Sequence, residues 1–173
     1  MKMSDTRTIS APPSEVYAAL LNPEILKACV PGATVVEGTA QDGFEATVVQ
    51  KVGPVKATFK GQVRLSDMVE NERLTIDGEG KGGAAGFAKG GAQVSLVAVP
   101  EGTALSYDVE AKVGGKLAQL GSRIIDGFAK KMADQFFQNL SDQFGPAAGA
   151  DTPAADDAED AEKKGWLGRI TGR

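Results

Sequence analysis

The residue types that most often do chemistry are scarce in this chain. Its 173 residues include no histidine and a single cysteine, Cys29. Without histidine there can be no Ser-His-Asp or Cys-His nucleophilic site, no imidazole proton shuttle and none of the usual zinc constellations. One cysteine cannot close a disulfide within the chain. Cys29 stands beside Val30-Pro31 at the end of a helix-prone stretch, with no base near it in sequence, so a structural thiol is expected. The carboxylate pairs Glu70/Glu72 and Asp156/Asp157 could do acid–base work only if burial perturbed them. They fall in a turn and in a linker-like stretch, where solvated roles are expected. No catalytic residue and no metal ligand is assigned.

The segment from Gly78 to Gly91 is rich in glycine, and its Gly78-x-Gly80-x-x-Gly83 spacing matches a dinucleotide loop by letter. That loop needs a parallel strand-helix-strand unit with a helix opening on the pyrophosphate. Here the chain returns to strand at Ala92-Gln-Val-Ser-Leu, and no glycine is followed by Lys-Ser or Lys-Thr. A hairpin of small-residue strands is the expected reading. If Leu74 and Ile76 point inward, Gly78 and Gly80 do too, and Ala88, Gly90 and Ala92 share the face of Val94. Such a patch either lets a helix approach closely or leaves an apolar void beneath it. The sequence leaves both open.

The elements that would position these residues can be read from periodicity. Lys2 to Ser10 alternates like a strand. Pro12-Pro13-Ser14-Glu15 and Asn22-Pro23-Glu24 each open a short helix, with proline in the first turn and, in the second, asparagine as the cap. From Pro54 to Asp67 the odd positions Val55, Ala57, Phe59, Gly61, Val63 and Leu65 are apolar or small and the even ones polar, the pattern of a half-buried antiparallel strand. Further inward rows run through Phe44, Ala46, Val48 and Val52, then Leu74 and Ile76, then Val94, Leu96 and Ala98, then Leu105 to Val113. Six strands are expected after the helix pair and one before it. From Gly114 to Phe144 one long helix is expected, its stripe carried by Ile124, Phe128, Met132, Phe136, Leu140 and Phe144 and widened by Leu117, Leu120, Ile125 and Phe137. The fold class is α+β: a seven-stranded antiparallel sheet curled around a long C-terminal helix, with two short helices after the first strand. The residues expected to line a pocket are Phe59, Leu74, Ile76 and Leu96, with Tyr107 and Val109 from the last strand. The helix adds Leu120, Ile124, Phe128 and Met132.

Charge divides the chain. The formal net charge is −4, which disfavours nucleic acid as the main partner. Residues 1–145 form the expected domain. Residues 146–162, with prolines, alanines and six carboxylates but no cation from Asp151 to Glu162, read as a disordered linker spanning roughly 20–25 Å on average. Residues 163–173 form a basic tail in which Lys163, Lys164, Arg169 and Arg173 surround Trp166, Leu167 and Ile170. Tryptophan favours a membrane interface, and each nearby cation adds about 1 kcal/mol at an anionic leaflet. A weak, reversible membrane contact is expected of this tail, with docking on a protein as its competitor. No signal peptide or membrane-spanning run is seen, so a cytoplasmic monomer is expected, peripherally bound to the inner face of the membrane.

Four stretches carry a resemblance to a known family: Ala11-Pro-Pro-Ser-Glu-Val-Tyr-Ala-Ala-Leu20, Leu26-Lys-Ala-Cys-Val-Pro-Gly32, Gly80-Lys-Gly-Gly-Ala-Ala-Gly-Phe87, and Val113-Gly-Gly-Lys-Leu-Ala-Gln-Leu-Gly-Ser-Arg123. Over about residues 3–145 the chain resembles the CoxG-like family of carbon monoxide dehydrogenase subunits, within the START/SRPBCC helix-grip superfamily. The resemblance implies an internal hydrophobic cavity between sheet and long helix. It also implies a role beside a molybdenum hydroxylase of the CO dehydrogenase type, linking it to the membrane and its quinone pool. The expectation that follows is a non-enzymatic binder of a lipophilic small molecule, a quinone or isoprenoid, with no covalent cofactor. The alternatives are a cyclase- or hydratase-like enzyme using Tyr107, and an assembly or chaperone module indifferent to any ligand.

Overall fold

The computed structural model describes residues 1–145; the acidic segment 146–162 and the basic tail 163–173 lie outside the described residues. The first strand, β1 (Lys2–Ile9), leads into α1 (Pro13–Leu20) and α2 (Pro23–Cys29). Both helices begin on a proline, whose missing N–H costs nothing in the first turn. Between them Asn22 caps α2, its side-chain oxygen accepting from the backbone N–H groups of Glu24 at 2.9 Å and Ile25 at 3.4 Å.

Six strands then follow in a meander: β2 (Ala33–Thr39), β3 (Gly43–Val52), β4 (Val55–Val69), β5 (Arg73–Lys81), β6 (Phe87–Val99) and β7 (Gly102–Gly114). Every pairing is antiparallel, and β1 closes the far edge to give the order β1-β7-β6-β5-β4-β3-β2. The glycine-rich segment is a hairpin, as its small residues and return to strand suggest, with a single 3₁₀ turn at Gly83–Ala85. The fourth strand is longer than its alternation indicates. A register shift between Ser66 and Val69, with Asp67 at a φ of 48°, breaks the period of two while the pairing continues.

The expected single helix from Gly114 to Phe144 is two: α3 (Lys116–Gln119) and α4 (Ser122–Gln143). Gly121, at a φ of 89°, separates them in a conformation that L side chains rarely adopt. Periodicity hides the break, because Leu120 and Ile124 still fit the spacing of a continuous stripe.

Register organises the interior. Across β4 to β7 the inward residues form rungs that shrink along the strands. One rung holds Leu74, Val94 and Tyr107, the next Leu65, Ile76, Ala92 and Val109, then Val63, Gly78, Gly90 and Ala111, then Gly61, Gly80, Ala88 and Val113. The bulky end is solidly packed. There Leu74, Leu96 and Leu105 meet Val16 and Leu20 of α1, Cys29 of α2 and Leu140 of α4, all at most 8% exposed. Thr103 is fully buried at this end and donates its hydroxyl to the carbonyl of Ala11 at 2.6 Å, fixing the start of β7 to the corner before α1. α4 packs chiefly against α2, with β1 and β3 beside it, and Asn139 Nδ2 donates to the carbonyl of Cys29 at 2.9 Å.

Replacing Thr103 with valine keeps the shape but strands the Ala11 carbonyl without its donor. Urea denaturation should show a loss of about 1–3 kcal/mol, and Thr103→Ser should recover most of it.

Candidate functional site

Where the rungs become small, the sheet and α4 do not meet, and a cavity of about 590 Å³ opens between them. Its sheet side includes Ala46 and Val48 of β3, Phe59 and Val63 of β4, Ile76 of β5, Ala88 and Ala92 of β6, and Val109 and Val113 of β7. Its helical side is the row Ile125, Phe128, Ala129, Met132, Ala133 and Phe136 of α4, with Leu20, Leu26 and Leu117 at the ends. Successive members are one or three residues apart and every second member is four apart, so they share a face of a 3.6-residue helix. That face points inward yet stays only half-buried, and Leu140 alone on α4 is fully covered. An inward apolar face that the fold does not fill leaves open space where a core would be close-packed.

Of the ten residues expected to line a pocket, six lie on this wall: Phe59, Ile76, Tyr107, Val109, Phe128 and Met132. Leu74 and Leu96 do not. They belong to the packed end beneath α1, because the inward face of their strands is filled there. Leu120 and Ile124 are also displaced. Leu120 follows α3, and both flank the β3–β4 turn at Gly53, with Ile124 41% exposed. A row of residues four apart drifts about 40° per step around a helix, so Ile124 has rotated off the face centred on Met132 and Ile125 takes its place.

The small-residue patch divides as well. Ala88 and Ala92 border the void, whereas Gly90 serves close strand approach: a Cβ there would sit 2.3 Å from the carbonyl oxygen of Glu110. Gly90 is thus unsuited to probing the cavity with a larger side chain.

Polar groups on the wall are few. Gln50 donates its amide to the Pro31 carbonyl, and Tyr107 carries a phenol. Tyr107 stacks on Phe137 with ring centroids 5.1 Å apart, and Phe136 meets Phe137 edge-on. Its hydroxyl accepts from Arg7 Nη2 at 3.3 Å. Arg7 also pairs with Asp134 of α4 and lies over the Phe137 ring, 5.2 Å from its centre. Its Nε sits 3.2 Å from an Asp5 carboxylate oxygen, but without the alignment of a hydrogen bond.

Sequence reasoning finds no partner for Tyr107 and overlooks Arg7. The signal is there: counting by twos from Ile9, Arg7 and Met3 share the inward face of β1. Burial works to lower the Arg7 pKa, and hydrogen bonds to Asp134 and Tyr107 outweigh it, so the guanidinium is held charged. The hydrogen bond from Arg7, then that from Lys130, holds the Asp134 carboxyl below its ordinary value. Its pairing therefore stabilises the fold at neutral pH and is lost only as acid takes the pH down through the lowered pKa.

Cys29 is fully buried, and burial first, then the nearby charge of Asp142, pushes its thiol pKa up. This is an inert thiol, the structural role expected of it. Among the described residues no group of acids, cysteines or histidines is arranged to hold a metal, and no helix is long and apolar enough to cross a membrane. The charged residues expected at a membrane, Lys163 to Arg173, lie outside the described residues. The cavity is a space bordered almost wholly by apolar side chains, with Met1, Gln50 and Tyr107 carrying its polar groups.

Comparison with solved structures finds the same helix-grip arrangement, a curled antiparallel sheet closed by a C-terminal helix. A conserved protein from Geobacillus kaustophilus is 25% identical with a TM-score of 0.77, the match covering 83% of this chain and 94% of that one. A protein from Chromobacterium violaceum is 21% identical with a TM-score of 0.63, covering 84% and 97%. One from Rhizobium leguminosarum is 17% identical with a TM-score of 0.62, covering 82% and 91%. Identities this low for the last two speak to fold alone. Comparison with curated proteins found no match. The family pattern of CoxG, described as a carbon monoxide dehydrogenase subunit, matches residues 6–145, nearly the whole of the sheet and helices just described. The chain belongs to the CoxG family of carbon monoxide dehydrogenase subunits.

Proposed function

We propose that this protein is a non-enzymatic accessory protein of a molybdenum-containing, carbon monoxide dehydrogenase-type enzyme, and that it acts by holding a lipophilic ligand, a quinone, in its cavity. One observation carries the reading: an apolar compartment of about 590 Å³ faced by an amphipathic helix whose inward row is left half-covered. That volume falls within the range of pockets that enclose small ligands. The family description supports the enzyme partner. Among the described residues a phenol and an amide are the only polar side chains on the wall, which suits binding better than turnover. The protein works as a monomer at the inner face of the cytoplasmic membrane, where the basic Trp166 segment gives a second, reversible contact. The enzyme partner then draws on the ligand without leaving the aqueous phase.

Mass spectrometry of organic extracts from the purified full-length protein should recover a quinone or related isoprenoid in near-stoichiometric amount. Repeated recovery of nothing apolar, before and after incubation with quinone-containing vesicles, sinks the ligand reading.

Filling the void tests the same point by design. Ala92→Phe and Ala129→Phe place rings into open space, so ligand loading should fall at least tenfold while the urea midpoint moves little. Leu74→Ala, in the packed end, should instead cost about 2–5 kcal/mol. If the filled variants lose ligand but still support the partner enzyme, the protein is an assembly module and not a carrier.

Removal of residues 163–173 should lower sedimentation with anionic liposomes several-fold at low salt. Unchanged sedimentation removes the membrane contact from the proposal.

A further inference from the structure

The cavity wall is apolar almost throughout, so its one phenol stands out. Tyr107 lies on the wall, and its oxygen accepts a hydrogen bond from Arg7. A phenol can accept and donate at once. Its acceptor role is used by Arg7, while its own proton has no acceptor among the described residues. Donation from a cation to the phenol oxygen polarises the O–H bond, and hydrogen bonds in such chains strengthen one another. With its oxygen engaged by Arg7, Tyr107 keeps one unused O–H donor beside the cavity it borders. The ring cannot swing away easily, since it is stacked on Phe137, which Arg7 covers.

The charge around this donor selects what it can receive. Arg7 is flanked by the carboxylates of Asp5 and Asp134, and Asp134 is shared with Lys130. These two cations and two anions balance beside the phenol, and the Met1 ammonium, which also borders the cavity, is held at the start of β1 on the Ala111 carbonyl at 3.0 Å. A carboxylate buried here would lose its hydration without gaining a free counter-ion. A neutral carbonyl oxygen needs only the donor. We infer that Tyr107, held and polarised by Arg7, is a specificity-determining residue that binds the carbonyl oxygen of a neutral, otherwise apolar ligand and discriminates against fatty acids and plain hydrocarbons. This rests on the ligand-carrier reading above and adds the chemistry of the ligand's polar end.

The test compares ligands of one skeleton by calorimetric titration of the full chain: 2-methyl-1,4-naphthoquinone, which has carbonyls, 2-methylnaphthalene, which lacks them, and palmitate as an anionic control. The unaltered protein should bind the quinone about tenfold more tightly than the hydrocarbon, the worth of one good hydrogen bond, and should bind palmitate weakly. Tyr107→Phe keeps the ring and its stacking. It should erase that tenfold preference while leaving hydrocarbon affinity unchanged. Arg7→Met, which removes the polarising donor, should reduce the preference by several-fold, with circular dichroism and the urea midpoint reporting whether the fold is intact; Tyr107→Phe decides the matter if it is not. Equal affinities for quinone and hydrocarbon in the unaltered protein, or a preference that survives Tyr107→Phe, overturn the inference while leaving the carrier reading standing. Palmitate binding as tightly as the quinone overturns the neutral-ligand selectivity. If none of the three compounds binds, both the inference and the carrier reading fall together.

Discussion

Antiparallel register is the constraint from which the rest of this molecule follows. Backbone hydrogen bonds fix which residues stand opposite one another across β4 to β7, and they place small residues on adjacent rungs rather than scattering them. A slip of one residue in any strand would turn its inward set outward and interleave Lys60, Gln62 or Asp77 with the apolar wall. Because the sheet holds its register, Gly78, Gly80, Ala88, Ala92 and Ala111 act as a group. Their missing volume cannot be taken up by neighbouring strands, whose spacing is set by the ladder, and α4 is held off by the packed rungs at the other end. The void is a product of the sheet's rigidity.

A second, smaller constraint lies across that void. Arg7 of β1 reaches Asp134 of α4 and Tyr107 of β7 together, so one side chain connects the sheet edge, the cavity wall and the helix. Exposed ion pairs contribute little to stability, and Asp134 is largely solvated. The value of this pair is geometric. It fixes the middle of α4 over the sheet and orients a phenol that would otherwise be one more aromatic in the wall.

Much of this can be read in the sequence, for identifiable reasons. Strand alternation is a strong local signal wherever one face meets water, which is why Phe59, Ile76 and Val109 are legible as wall residues. The two prolines and Asn22 announce α1 and α2. What the sequence cannot supply is the dividing line between packed and hollow interior. Leu74 and Ile76 are equivalent by pattern, yet one meets α1 and the other faces open space. That distinction depends on where α1 crosses the sheet. Gly121 is invisible because a break in a helix need not disturb its period, and Arg7 because its charge masks the alternation of β1. Gly90 looks like its neighbours in composition, and only its distance from Glu110 separates it from them.

The uneven coverage of α4 sets how the molecule can open. Its C-terminal half is bound by Leu140 in the core, by Asn139 on the end of α2 and by Asp134 on Arg7. Its N-terminal half begins after the glycine break and spans the hollow. Local opening is least costly where few contacts are lost, so separating the first two turns from the sheet is a sub-global event with its own, lower free energy. The strength of the domain's packing is therefore graded along a single helix, firm where α4 meets α2 and β1 and slack where it crosses the hollow.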